Sequence, residues 1–395
     1  MQPDAILERV DAERLYSDIL EIEGVKHALD NPEKMEECAD YILTSFEALG
    51  VATNEQVFSV KGFDYEFRNI EAWLGDGKGP EILIASHYDT VAHAPGANDN
   101  GSAIAVMLES ARVLSETDTT GIRFVSFNLE EGNPASLLAW RTIMREMGLT
   151  DESNRWKSLR AKQAHDRFQE VASQKYEEGL PREEIRRAAF EAMKDYLAQE
   201  EAAKLEELLQ SQHAEGLMQS SGGLQGSTHW VSHGARTGRQ VTGMLCLETI
   251  GYTSTKPNSQ SLPSGIRPEM FQLYNTSEDA SIGDFLTIVG DRNSEQLAQD
   301  FARSCRSPLI ELPHAMLTVP MGYVQIKKTS PHLLRSDHAP FWKAEMPALL
   351  LTDTADFRYP YYHTRADTID KLDFNFLTRV CQATVLTALN HSSSL

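Results

Sequence analysis

The sequence predicts an α/β protein in which a mixed, mostly parallel sheet is flanked by helices. Two apolar runs, 82–86 and 122–129, have strand length, high β-propensity and little alternation, which is typical of strands buried on both faces. The segment 103–114 between them has helical periodicity and good helix formers. A chain of 395 residues with 41% apolar content can bury one large core of this kind plus a subsidiary element.

The remaining elements follow from similar patterns along the chain. Residues 11–50 are predicted to be mainly helical, and 51–58 is predicted to form the first strand. The apolar runs 285–290 and 348–352 are predicted to return to the sheet. No internal repeat and no low-complexity linker interrupts this order.

One long segment has a different composition. Residues 150–212 are rich in Glu, Lys, Arg, Ala and Leu, with apolar residues at helical spacing, and 179–181 (Gly-Leu-Pro) breaks the pattern. Two amphipathic helices joined at this break predict a helical hairpin. The Gly- and Ser-rich stretch 220–226 is interpreted as a flexible return to the core.

Chemically active side chains follow the two apolar runs. His87 and Asp89 end the first run, and Glu130 and Glu131 end the second. Asp99 lies in a Gly-rich turn at the start of the predicted helix, where a carboxylate could also serve only as an N-cap. Because open α/β sheets place their chemistry at the carboxyl ends of strands, these side chains are expected to converge at one edge. One imidazole and several carboxylates at one place indicate a metal hydrolase.

Six motifs in order carry a family resemblance. They are 87–89 (His-Tyr-Asp), 95–101 (Pro-Gly-Ala-Asn-Asp-Asn-Gly), 130–131 (Glu-Glu), 247–252 (Leu-Glu-Thr-Ile-Gly-Tyr), 336–338 (Ser-Asp-His) and 362–368 (Tyr-His-Thr-Arg-Ala-Asp-Thr). Their order resembles zinc metallopeptidase family twenty-eight, which includes bacterial leucyl aminopeptidases, glutamate carboxypeptidase II and glutaminyl cyclases. The resemblance covers about residues 65–132 and 225–390 and implies a zinc exopeptidase-like fold.

The resemblance implies a site for two zinc or similar divalent ions per chain. Asp99 would bridge both ions, His87 and Glu248 would complete one set of ligands, and Glu131 and His363 the other. Imidazole nitrogens and carboxylate oxygens are ligands that zinc takes in proteins.

Further roles are implied beside these ligands. Glu130 would act as the general base, and Asp89 would be the carboxylate that orients the ligating His87. In the family, the stretch that contains Asp337 and His338 lies beside the substrate pocket, so these two residues are candidates for substrate contacts or for stabilising their loop.

Several functions are compatible with this set. The leading one is a co-catalytic zinc hydrolase that cleaves a peptide or other amide bond of a small substrate, with an aminopeptidase-like exopeptidase favoured. The alternatives are an amidohydrolase or carboxypeptidase acting on N-acyl amino acids, and an acyltransferase resembling glutaminyl cyclase with one zinc. A binding module that kept only the fold is a third class, against which the intact Glu130 argues.

The sequence departs from the family pattern in two places. Glu248 stands where aminopeptidases of the family commonly carry Asp, so its carboxylate reaches one methylene farther. Members usually pass quickly from the Glu pair to a Gly-Ser dipeptide, whereas here 226–227 follows a long insertion. We therefore divide the chain into a catalytic domain, 1–133 and 223–395, and a helical insertion, 134–222. The insertion is predicted to be a cap over the site or an arm that forms a homo-oligomer.

Composition restricts the partners. A formal net charge of -21 argues against binding to nucleic acid and to anionic membrane surfaces. No apolar stretch has the length of a membrane span, and the first residues lack the apolar region of a secretory signal. Four scattered cysteines without metal spacing are interpreted as reduced thiols. A cytoplasmic location is expected, with a processed secreted form left open.

Overall fold

The computed structural model describes residues 3–210 and 222–393, so two residues of the predicted flexible return, Ser220 and Ser221, lie outside the described residues. Three helices precede the sheet: α1 (Pro3–Leu7), α2 (Ala12–Ile22) and α3 (Pro32–Ala48). Helix α3 begins where the Asn31 side chain accepts a hydrogen bond from the amide of Lys34. The predicted helical character of 11–50 is confirmed.

Nine strands form one sheet within the described residues. They are β1 (Ala52–Ser59), β2 (Glu66–Leu74), β3 (Pro80–His87), β4 (Ile122–Phe127), β5 (Gln240–Glu248), β6 (Gln272–Tyr274), β7 (Leu286–Gly290), β8 (His314–Thr318) and β9 (Ala348–Thr352). Their order across the sheet is β1-β2-β4-β3-β5-β9-β7-β8-β6. The predicted α/β class and all five predicted strand regions are confirmed.

The sheet contains a smaller share of parallel strand pairings than the expected mostly parallel sheet. Strands β4, β3, β5 and β9 run parallel at the centre, and β7 runs parallel to β8. The pairings β1–β2, β2–β4, β7–β9 and β6–β8 are antiparallel, so each kind of pairing occurs four times. Chain direction depends on the connections between strands, which periodicity within a strand does not reveal.

Helices cover both faces of the central strands. On one face, α2, α3 and α4 (Ala103–Ser115) pack together with α10 (Glu295–Cys305) and α13 (Phe374–Ser392). The other face carries α9 (Gln225–Thr237), α11 (Tyr323–Thr329) and α12 (His338–Lys343). Alternate residues of β3 enter the two cores, with Ile82 and Ile84 on the first face and Leu83 and Ala85 on the second. This explains the continuous apolar run in the sequence.

Four described helices lie in the predicted insertion: α5 (Pro134–Glu146), α6 (Leu159–Glu177), α7 (Arg182–Met193) and α8 (Gln199–Leu209). Helices α6 and α7 form the predicted hairpin, which we call the α6–α7 hairpin. Their apolar residues pack in a separate small core, with Trp140, Phe168 and Phe190 in ring contact. The division into two domains and the formation of an oligomer stay predictions.

The four central parallel strands end at the same edge of the sheet. His87 is the last residue of β3, and Glu248 is the last residue of β5. Glu130 follows the end of β4, and His363 lies in the loop after β9. The residues of the candidate site therefore share one edge. In the described part of the chain, none of the helices combines the length and apolar character that crossing a bilayer requires.

Candidate metal centre

The structure brings the five predicted metal ligands together. The Nε2 atom of His87 lies 3.4 Å from Oδ1 of Asp99 and 3.3 Å from Oε2 of Glu248. The Nε2 atom of His363 lies 3.1 Å from Oδ2 of Asp99 and 3.1 Å from Oε1 of Glu131. The two oxygens of Asp99 thus face different imidazoles, and this carboxylate is common to two triads. Within each triad the candidate ligand atoms lie within 4.8 Å of one another.

The chemistry of this cluster fits divalent cations. Among the described residues, Nε2 of His87 and Oδ1 of Asp99 are buried and lack a hydrogen-bond partner, although a buried polar atom normally has one. Carboxylates and imidazoles are ligands that zinc accepts, and several buried carboxylates beside one another repel unless a positive charge lies between them. The geometry therefore fits a metal site, with Asp99 at its centre.

The carboxylates and imidazoles perturb each other strongly. Burial raises the pKa of Glu131 to about 7, with the charge of Asp99 adding to it. Burial lowers the pKa of His363, but the adjacent carboxylates of Glu131 and Asp99 outweigh it and raise this pKa to about 10. Conversely, the two imidazoles hold the pKa of Asp99 far below its usual range, against the effect of burial. Bridging by Asp99 requires the ionised form, which this arrangement favours.

Glu130 is buried beside the triads. Burial raises its pKa well above the usual value, and the charges of Glu248, Glu131 and Asp337 act in the same direction, whereas His87 opposes them. These surroundings favour the protonated form of Glu130. A general base has to take up a proton and release it again during the reaction.

Asp89 fixes the backbone of the Glu pair. Its Oδ1 accepts a hydrogen bond from the amide of Glu130 at 3.0 Å, and its Oδ2 accepts one from the amide of Glu131 at 3.1 Å. Nδ1 of His87 lies 3.5 Å from Oδ1 of Asp89 and 3.1 Å from its backbone oxygen. Asp89 therefore contacts His87, as its predicted orienting role requires, and also holds Glu130 and Glu131 in place.

The Asp99 turn is held by side chains that follow the last strand. Asp367 accepts hydrogen bonds from the amides of Asn98 and Asp99 and from the Tyr359 hydroxyl. The side chain of Asn98 donates to Asp353. The only signal for these partners was that Asp367 and Asp353 are acidic residues close to the ends of the last strand and of the His363 loop.

Asp337 and His338, the candidates for substrate contacts or for stabilising their loop, are both buried. His338 is fully buried, where its Nε2 contacts the Leu333 carbonyl at 2.8 Å and its ring packs edge-on against Trp342. It lines none of the described cavities, so this position supports the loop-stabilising role rather than a substrate contact. Asp337 is also buried, and no described residue hydrogen-bonds its carboxylate oxygens. Burial raises its pKa to about 7.

Two cavities adjoin Glu130. The apolar pocket, about 100 Å³, also contacts Glu248 and is walled by Leu262, Ile266, Phe271, Val289, Leu317 and Leu350. The second, about 480 Å³, is called the roofed cavity here: Glu130, Glu131 and His363 line its floor, and Ser173, Tyr176 and Arg182 of the α6–α7 hairpin region line its roof.

The match to a protein-family model shows which family this chain belongs to. The model of peptidase family M28 matches residues 69–155 and 196–388, which together make up more than half of the chain. The chain belongs to peptidase family M28. It is therefore a metallopeptidase of a family that is typically zinc-dependent, and the metal-binding groups described above agree with this. The matched ranges leave out 156–195, which contains the α6–α7 hairpin.

Individual relatives agree with the family. The uncharacterized protein YfbL of Escherichia coli is 25% identical over 372 residues, covering 92% of this chain and 82% of that protein. Aminopeptidase YwaD of Bacillus subtilis is 52% identical over 56 residues, which is 14% of this chain and 12% of that protein.

Solved structures share the fold. The LapA aminopeptidase of Legionella pneumophila has a TM-score of 0.58 at 18% identity, covering 100% of this chain and 75% of that one. The glutaminyl cyclase of Porphyromonas gingivalis has a TM-score of 0.55 at 14% identity, covering 96% of this chain and 98% of that one. At these identities the likeness concerns the fold alone.

Proposed function

We propose that this M28 member is a zinc-dependent exopeptidase of the aminopeptidase type that acts on small peptides with an apolar N-terminal residue. The observation that carries the proposal is the pair of triads that share Asp99, with the buried Glu130 beside them. A shared carboxylate between two imidazole-containing triads supports two co-catalytic ions rather than one.

The proposed ligand sets follow the distances. Asp99, His87 and Glu248 would hold one ion, and Asp99, Glu131 and His363 the other. When bound, zinc supplies Lewis acidity that lowers the pKa of water and stabilises negative charge on the substrate. Ser336 donates a hydrogen bond of 2.7 Å to Oε2 of Glu248 and thereby fixes the longer side chain that this position carries.

Glu130 would carry the proton. Its carboxylate accepts a proton from water as the amide bond is attacked, and its protonated form then donates to the nitrogen of the leaving amine. Burial and the neighbouring carboxylates raise its pKa, which favours holding the proton between these steps, while bound cations would act in the opposite direction. The hydrogen bond that the Glu130 amide donates to Asp89 keeps the Glu130 backbone fixed during both transfers.

The apolar pocket supports the choice of substrate. Branched and aromatic side chains form much of its wall, and Glu130 and Glu248 also line it, so an apolar side chain next to the scissile bond would be buried there. Burial of such a side chain stabilises a complex by about 1.5–3 kcal/mol relative to solvent exposure. A leucine-like residue is therefore preferred to a charged one.

Metal analysis combined with one pair of variants tests the proposal. The purified protein should bind two zinc ions per chain and hydrolyse leucine amides, and a chelator should abolish turnover. Glu130→Gln should keep both ions but lose about 10²–10⁴-fold in kcat, because only proton transfer is removed. Asp99→Ala serves as the matched contrast and should lose the ions themselves. A Glu130→Gln variant that fails to hold metal, or a wild type with at most one ion per chain, would contradict these assignments.

A further inference from the structure

The α6–α7 hairpin is fixed above the candidate metal centre. The Tyr176 hydroxyl donates a hydrogen bond of 2.8 Å to the carbonyl of Pro331 in the core. At the turn of the hairpin, Gly179 packs so closely on the backbone of Lys327 and Lys328 that a Cβ atom there would lie 3.0 Å from the Lys328 carbonyl oxygen. The roof of the cavity is thus attached to the core at its far end as well as at its base.

Arg182, the first residue of α7, contacts the chain segment that is hydrogen-bonded to the backbone of Glu130. Its guanidinium lies directly against Gly222, where any Cβ atom would overlap it. At the next residue, Gly223, a Cβ atom would overlap the carbonyl oxygen of Glu130, and the amide of Leu224 donates to that same oxygen at 2.9 Å. Two consecutive glycines therefore allow the guanidinium to approach the catalytic segment. Both Arg182 and Glu130 line the roofed cavity.

Arg182 and Arg335 are the two arginines among the described residues that line the roofed cavity. Arg335, the other arginine in the roofed cavity, forms two hydrogen bonds with Asp356, at 3.0 and 3.1 Å. Among the described residues, no carboxylate pairs with Arg182. Its positive charge adds to burial in lowering the pKa of Arg186 to about 10. Arg182 is exposed to solvent and lines the roofed cavity, so its charge is accessible to an anionic group that enters this cavity.

The two cavities meet at Glu130, Arg335 and Tyr362, which line both. A peptide whose scissile bond lies at Glu130 and whose first side chain enters the apolar pocket must therefore place its leaving portion in the roofed cavity. The α6–α7 hairpin lines that cavity opposite the metal centre, and a volume of about 480 Å³ suits a short leaving portion. A planar guanidinium binds a carboxylate through two parallel hydrogen bonds.

From this arrangement we propose that Arg182 binds the free C-terminal carboxylate of di- and tripeptides. The insertion would thus determine specificity for short peptides with a free carboxylate. The inference rests on the proposed exopeptidase function and assigns the substrate class of the same site.

The test compares each peptide with its C-terminal amide on the zinc-loaded enzyme. The substrates are Leu-Gly and Leu-Gly-Gly as free acids and as amides. Wild type should favour the free acids, and Arg182→Gln should lose about 10–100-fold in kcat/KM on them, mainly through KM, because a hydrogen bond to a charged group is removed. The amides should change by less than about twofold, and Arg182→Lys should recover part of the loss because its charge remains.

The matched control is Arg187→Gln. Arg187 lies on the same helix but is exposed and paired with Glu183 at 2.9 Å, so its replacement should leave all four substrates unaffected. Equal turnover of acids and amides by wild type, or an equal loss on both in Arg182→Gln, would overturn the role of Arg182 while the exopeptidase function stands. Absence of turnover on every substrate by the metal-loaded wild type would overturn both.

Discussion

The replacement of Asp89 by Asn tests how the Glu pair is positioned. Asp89 is 3% exposed, and each of its two carboxylate oxygens accepts one backbone amide, from Glu130 and from Glu131. Asparagine has nearly the same shape, but only one of its two terminal atoms accepts hydrogen bonds. In either orientation its NH₂ group faces one of the two amides, and that amide is left without an acceptor.

The size of the expected stability loss in Asp89→Asn follows from the hydrogen bond that is removed. A hydrogen bond to a charged group contributes about 1.5–3 kcal/mol, and a buried donor left unsatisfied costs a similar amount. We therefore expect Asp89→Asn to lower the free energy of unfolding of the metal-free protein by at least about 1.5 kcal/mol. Because the freed amide belongs to the Glu130–Glu131 segment, kcat should fall in the metal-loaded protein as well.

Urea unfolding of the chelated protein and steady-state kinetics of the zinc-loaded protein measure the two effects. Asp11→Asn is the control, because the Asp11 side chain accepts only the amide of Glu13 among the described residues. It lies at the exposed start of α2, where Asn caps a helix equally well. If Asp89→Asn costs no more stability than Asp11→Asn, the Glu pair does not depend on this double contact and the reasoning is refuted.

Two further predictions concern stability and the insertion. Burial raises the pKa of Asp18 to about 6 from an ordinary value of 3.8, so between these values the folded state binds more protons than the unfolded state, and stability should fall as pH rises through this window. Asp18→Asn should reduce that fall in urea titrations between pH 4 and 6, and an unchanged pH dependence would contradict the shift. Replacing 134–222 with a short Gly-Ser linker should leave the metal content intact and extend turnover to longer peptides; identical substrate range and oligomeric state would mean that the insertion is a bystander.

The fold was predictable where the signal is local. Continuous apolar runs such as 82–86 follow from burial on both faces, and that property is visible residue by residue. The antiparallel placement of β2 beside β4, and of β7 beside β9, was not predictable, because it depends on how distant segments connect. For the same reason the proportion of parallel pairs was overestimated.

The candidate site also contains contacts that local sequence patterns predict and contacts that depend on tertiary packing. His87, Asp99 and the Glu pair could be expected to converge because strand ends share an edge of the sheet. The contact of Arg182 with the segment beside Glu130 could not be predicted from the sequence. It joins an inserted helix to the end of β4 and depends on how the two pack in the folded protein. Gly223 illustrates the difference, because a stretch interpreted as flexible contains a position where a Cβ atom would lie 1.6 Å from the backbone oxygen of Glu130.

The return of the chain from the insertion has a consequence for folding. The amides of Leu224, Gln225 and Gly226 donate to the carbonyls of Glu130, Leu129 and Asn128, and these bonds close the whole insertion into a loop. An unstructured loop loses about 0.6 kcal/mol of closure entropy with each doubling of its length. The separate apolar core around Phe168 and Phe190 shortens the span that must be closed. Slow or incomplete folding of the insertion would therefore delay assembly of the segment that carries Glu130, even with every strand of the sheet already in place.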